Sequence, residues 1–171
     1  MVASSDTTLT GRARRVIAGL RGWSARHERF LWAGLIVAVV VIQWPMLKGL
    51  YYRSAAAPPP PTSIQWRTDL ASALLEAQRT NKAVLVDFTA DWCPPCIVMK
   101  HDVWPDDAVE EAVTRSYIPV LIDVDTDTTV SERYGVRGIP TVLVLDATGN
   151  VVRRGDFLSA SGMVKFLTRA R

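Results

Sequence analysis

The two cysteines of this 171-residue chain stand in the tetrapeptide Cys93-Pro94-Pro95-Cys96, a few residues after the apolar run Val84-Leu85-Val86-Asp87-Phe88. A short, nearly continuous apolar run of this kind reads as a buried strand, and Pro94 and Pro95 suit the opening of a helix, where a missing N–H loses no hydrogen bond. Cys93 then falls at the helix N-terminus and Cys96 one turn on, within reach of a disulfide of ordinary geometry. Unpaired amides and the positive end of the helix dipole favour the Cys93 thiolate, the nucleophilic form. With solvent access as well, Cys93 is expected to react ahead of Cys96. A purely structural disulfide closing so short a loop would stabilise little. A zinc site usually needs four N or S ligands, and beyond this pair the chain offers only His27 and His101. Redox chemistry is the leading reading, with no metal and no cofactor expected beyond the cysteine pair itself.

Apolar content is unevenly spread. Residues 30–50 are interrupted only by Gln43, Pro45 and Lys48, and 21 helical residues at about 1.5 Å each span roughly 30 Å, the thickness of a bilayer core. Trp32, Trp44, Tyr51 and Tyr52 lie near the ends, where interfacial aromatics collect. A single transmembrane helix acting as a signal anchor is expected. A cleaved signal peptide ending near Ala55-Ala56-Ala57 is the competing reading.

Arg12, Arg14, Arg15, Arg21, Arg26 and Arg29 against Asp6 and Glu28 give residues 1–29 a net charge of +4. The positive-inside rule makes that tail cytoplasmic. The remainder is then periplasmic or otherwise extracytoplasmic, tethered to an inner membrane on the side where disulfides persist. Residues 54–171 carry 12 Lys and Arg against 15 Asp and Glu. A mildly acidic domain gives no support to nucleic-acid binding, which needs a basic face. The partners expected are the lipid bilayer, protein disulfide substrates and, because one span relays no electrons, an electron-donor protein in the membrane.

Residues 51–63 read as an Ala/Pro-rich linker, its four prolines favouring an extended spacer. From residue 64 onward the pattern alternates. A short strand is expected at 64–66 and a helix through Leu70, Ala73, Leu74 and Ala77 capped by Thr68 or Asp69. Strand 83–89 and helix 93–103 follow, then helix 107–116, strand 118–124 and a short helix at 129–134. A hairpin of 141–146 and 151–154 and a final helix at 161–170 complete an α/β domain, with a mixed sheet and helices on both faces.

Four motifs occur in order: Val86-Asp87-Phe88, Trp92 through Cys96, Tyr134-Gly135-Val136-Arg137-Gly138-Ile139-Pro140-Thr141, and the turn from Asp146 to Gly149 followed by Gly155. In these the chain resembles the thioredoxin superfamily over about residues 64–171. The resemblance implies the thioredoxin fold, a cis peptide before Pro140 beside the cysteines, and an Ile139 backbone that pairs with the substrate chain. The phrase Ala90-Asp91-Trp92-Cys93, the His101 standing where soluble thioredoxins carry proline, and the run through Val103-Trp104 into residues 106–109 look more like the periplasmic C-terminal domain of membrane thiol:disulfide interchange reductases. The Pro-Pro dipeptide departs from both patterns.

The expected mechanism is dithiol exchange: Cys93 forms a mixed disulfide and Cys96 resolves it. Asp87, buried beneath the pair, should have a raised pKa and accept the proton that Cys96 loses. Leu121 stands where soluble thioredoxins place a lysine near that acid. Trp92 is assigned to the recognition surface, Met99 to the core, and Lys100 and His101 to a solvated helix face. Two alternatives use the same cysteines: a disulfide oxidase or isomerase, and a copper-delivery module, since soft thiolates suit Cu(I).

Overall fold

The computed structural model describes residues 28–56 and 58–169. His27, Ala57 and most of the basic tail, with the arginine bias read from it, lie outside those residues. The chain divides into two units between Trp44 and Pro45.

In the first unit helix α1 (Glu28–Ile42) is exposed along its whole length, its apolar side chains included. The helix expected over residues 30–50 is interrupted. Pro45 has no N–H to donate and its ring conflicts with the Val41 carbonyl, so the helical ladder is interrupted ahead of it. A second helix, α2 (Trp44–Ala55), begins there and runs into the stretch read as linker. No single helix among the described residues is long and apolar enough to cross a membrane, although α1 and α2 satisfy length and composition as a bent pair.

The second unit continues with α3 (Leu70–Thr80), β1 (Ala83–Thr89), α4 (Pro94–Asp102), α5 (Asp107–Ser116), β2 (Tyr117–Asp123), α6 (Thr128–Arg133), β3 (Thr141–Leu145), β4 (Val151–Gly155) and α7 (Ala160–Thr168). Side chains define the starts of these helices. Asp69 caps α3 by accepting from the amides of Ala71 and Ser72 at 3.1 and 3.0 Å, and Asp106 caps α5 through Ala108 and Val109.

The strands form one sheet in the order β2-β1-β3-β4. Strand β1 pairs parallel with β2 and antiparallel with β3. It is central, and all seven of its residues are buried. Their alternation supplies two cores. Ala83 and Leu85 face Met99, Val103 and Trp104, with Val109 and Val113 of α5 and Met163 and Leu167 of α7. Val84, Val86 and Phe88 face Leu70, Ala73 and Ala77 of α3 on the other side. Asp87 shares the parity of Leu85, so its carboxyl lies on the α4 side, between Leu121 and Val142 in the neighbouring strands.

The strand expected at 64–66 is reduced to one parallel bridge, Arg67 with Val120. Arg67 donates to the Pro119 carbonyl and accepts from the Leu121 amide. Extending that ladder to Gln65 would require an N–H on Pro119, which has none.

Candidate active site

Strand β1 delivers the chain into the turn Ala90-Asp91-Trp92, and Cys93 follows with extended backbone as the N-cap of α4. A helix start leaves several amides without intrahelical partners; here each is accounted for. The Cys93 amide donates to the Ala90 carbonyl at 3.2 Å. Pro94 and Pro95 carry no N–H. The Cys96 amide donates to the Cys93 sulfur at 3.3 Å. The Pro-Pro dipeptide thus leaves one amide of the first turn aimed at one sulfur.

Cys93 and Cys96 form a disulfide, with Cα atoms 5.3 Å apart. Exposure does not distinguish them, contrary to the expectation that solvent would favour Cys93: each residue is 2% exposed. The cap position alone separates them. Around the sulfurs lie Ala90, Val124 and Ile139. The Ile139–Pro140 peptide bond is cis, and a groove lined by Pro95, Arg137, Ile139, Pro140, Thr141 and Phe157 runs past it.

Asp87 is 2% exposed. Its Oδ2 accepts from the Trp104 indole N–H at 3.0 Å, and its Oδ1 has no hydrogen-bond partner among the described residues, like the nearby Thr89 hydroxyl. Burial pushes the Asp87 carboxyl up to about 7, against the opposing effects of the Trp104 hydrogen bond and the Lys100 charge. Leu121 supplies no cation opposite it.

Trp92 is 54% exposed, and its indole donates to Asp125 Oδ2 at 2.7 Å. Lys100 pairs with Asp91 at 3.1 Å, and Met99 is buried. His101 is not simply solvated: its ring stacks on Tyr52 of α2 at 4.1 Å. The neighbouring Asp102 accepts from Tyr52 at 2.7 Å and from Lys48 at 2.5 Å. Gly49 lies against the start of α4 so closely that a Cβ there would overlap the Pro94 carbonyl. Thus Tyr52 and Lys48, read from sequence as parts of a membrane span and its border, serve the folded domain.

The sequence reading passed over two partners, Trp104 and Asp125. The available signal for Trp104 is its indole N–H, which needs an acceptor wherever the ring is buried. Asp125 belongs to the run Asp123-Val124-Asp125-Thr126-Asp127, in which no single acid stands out. Among the described residues no group of three or more His, Cys, Asp or Glu is placed to hold a metal ion.

The sequence profile of a family described as thioredoxin-like matches residues 65–147. The thioredoxin of Pyropia yezoensis is 38% identical over 85 residues, 50% of this chain and 76% of that protein. The thiol:disulfide interchange protein DsbD of Yersinia enterocolitica is 28% identical over 155 residues, 85% of this chain but 26% of that much longer protein. The reduced C-terminal domain of Neisseria meningitidis DsbD superposes with a TM-score of 0.52 at 27% identity, covering 60% of this chain and 94% of that domain. A helix-capping cysteine bonded to a second cysteine one turn later, and sequences aligned on both sides of that pair, have one common account: the chain belongs to the thioredoxin superfamily and is a thiol–disulfide oxidoreductase.

Proposed function

We propose that this chain is a membrane-tethered, extracytoplasmic oxidoreductase that reduces protein disulfides through Cys93 and Cys96. The observation that carries the reading is the single buried cluster in which the capping Cys93 and its partner Cys96 meet Ile139. The likeness to DsbD, an interchange protein by name, supports exchange with other proteins. The uniformly exposed apolar surface of α1 supports tethering.

In the reduced form the Cys93 thiolate attacks one sulfur of a substrate disulfide. That bond breaks, the other substrate sulfur leaves as a thiolate, and a mixed disulfide forms on Cys93. Substrate backbone pairs with Ile139 beside Pro140, and Trp92, held by Asp125, flanks the approach. Asp87 accepts the Cys96 proton, and the Cys96 thiolate attacks the Cys93 sulfur. The substrate leaves as a dithiol, having gained two electrons and two protons, and the Cys93–Cys96 pair, having given up two electrons, is left as the disulfide. A dithiol protein in the membrane returns that electron pair.

Trapping thiols in intact cells tests the direction of flow. The pair should be mostly reduced, become a disulfide when the membrane donor is deleted, and have a potential nearer about −270 mV than about −120 mV. A reporter active only outside the cytoplasm, fused after Arg171, should be active, and the protein should resist carbonate extraction from membranes. A steady-state disulfide with an oxidising potential would replace this reading with an oxidase. Tight binding of one copper without disulfide reduction would replace it with a metal-delivery module.

A further inference from the structure

Trp104 lies where the chain leaves α4. Its amide and that of Val103 both donate to the Met99 carbonyl, at 3.0 Å each. Pro105 then turns the chain toward the cap of α5. The indole is driven inward at this corner and is 2% exposed. The preceding segment braces it: the Trp66 ring meets it edge-on at 5.0 Å, and the Thr62 hydroxyl donates to its carbonyl at 3.4 Å.

An indole has one donor and no acceptor. The Trp104 N–H is the hydrogen bond recorded to the Asp87 carboxyl, and it engages one oxygen only. The flanking positions on β2 and β3 are Leu121 and Val142, which offer neither charge nor donor. From α5 and α7 come Val109, Val113, Met163 and Leu167, also without charge. Among the described residues the charge that acts on Asp87 is that of Lys100, already paired with Asp91.

We propose that Trp104 is the positioning residue for Asp87: it fixes the carboxyl through Oδ2 and leaves Oδ1 as the atom that receives the Cys96 proton. This rests on Asp87 acting as the proton acceptor. The indole hydrogen bond stabilises the carboxylate selectively, so without it the base forms only at higher pH. It also selects which oxygen is free, so the acceptor stays in one orientation.

The test follows Cys96 attack on a preformed mixed disulfide as a function of pH, using the full-length chain in detergent. Trp104→Phe keeps an aromatic ring but removes the donor. Its rate should fall about ten- to hundredfold near pH 6 and recover above pH 9, the loss expected for one hydrogen bond to a charged group. In an Asp87→Asn background the same substitution should leave the profile unmoved. A uniform loss at every pH would overturn the proposal and reduce Trp104 to packing. A changed profile in Asp87→Asn with none in Trp104→Phe would overturn it while leaving Asp87 as the base. An unchanged profile in Asp87→Asn would remove both. Because Trp104→Phe risks misfolding, the indole N–H resonance of Trp104 is followed in the native protein as well. It should titrate near neutrality and stay fixed in Asp87→Asn; a fixed resonance in the native protein would overturn the proposal.

Discussion

Two aspartates mark opposite ends of the sheet, and their surroundings send them to opposite fates. Asp87 lies near the cysteine end of β1, desolvated, with one donor on one oxygen. Asp146 follows β3 at the far end, next to the hairpin that passes through Gly149 at a φ of +87°. There it accepts from the Thr148 amide and hydroxyl at 2.9 and 2.7 Å and from the Asn150 amide and side chain at 2.9 and 3.1 Å. The Thr148 hydroxyl, the Asn150 amide and their companions hold its carboxyl down to about 2, while burial pushes that of Asp87 up to about 7. Donors without burial make a permanently charged staple. Burial with a single donor makes a group that exchanges its proton near neutrality.

The largest effect should come from removing the buried acid. Asp87→Asn should slow Cys96-dependent resolution of a mixed disulfide by about 10²-fold or more at pH 7, the usual contribution of a positioned proton acceptor. Rapid-quench trapping of the intermediate measures it, and an unchanged rate would deny Asp87 any part in proton transfer.

Next in size is the attempt to make Asp87 resemble Asp146. Leu121→Lys sets an ammonium in register with Asp87 and should lower its pKa by about one to three units. The pH–rate profile of the resolving step should move toward acid by the same amount. A profile left in place would mean that the new ammonium swings to solvent.

Stability should separate the two acids by sign. The folded pKa of Asp87 is raised, so the unfolded chain loses this proton first. The contribution of this group to the stability of the oxidised protein should therefore be greatest below about pH 4 and fall by about 4 kcal/mol between there and pH 7. Asp87→Asn should abolish that slope in denaturant titrations. Asp146 has the opposite sign: its contribution is present above its unfolded pKa and is lost as pH falls through about 2. Asp146→Ala should give the smallest change, a modest drop in melting temperature at neutral pH with disulfide exchange unaltered. A loss of exchange would mean that the hairpin end communicates with the cysteines.

Much of this was legible in the sequence because it depends on neighbours along the chain. The strand at 83–89, the helix start at Cys93, the helix capped at Thr68 or Asp69 and the helix at 107–116 follow from local apolar periodicity, prolines and capping side chains. Pro45 is visible there too, and it divides a run that composition alone presents as a single span. The expected strand at 64–66 failed for a reason held elsewhere, the missing amide of Pro119 across the ladder.

By itself the sequence determined the redox pair, its place after a buried strand and the position of Cys93 at a helix N-terminus, since these need only residues within one turn of each other. The tertiary structure alone decided what surrounds them. It brought Trp104 onto Asp87, Asp125 onto Trp92, and Gly49 against Pro94 across separations that no local pattern encodes. Hydrogen-bond partners and burial are properties of the packed chain, and they settle which aspartate stays charged and which one exchanges a proton.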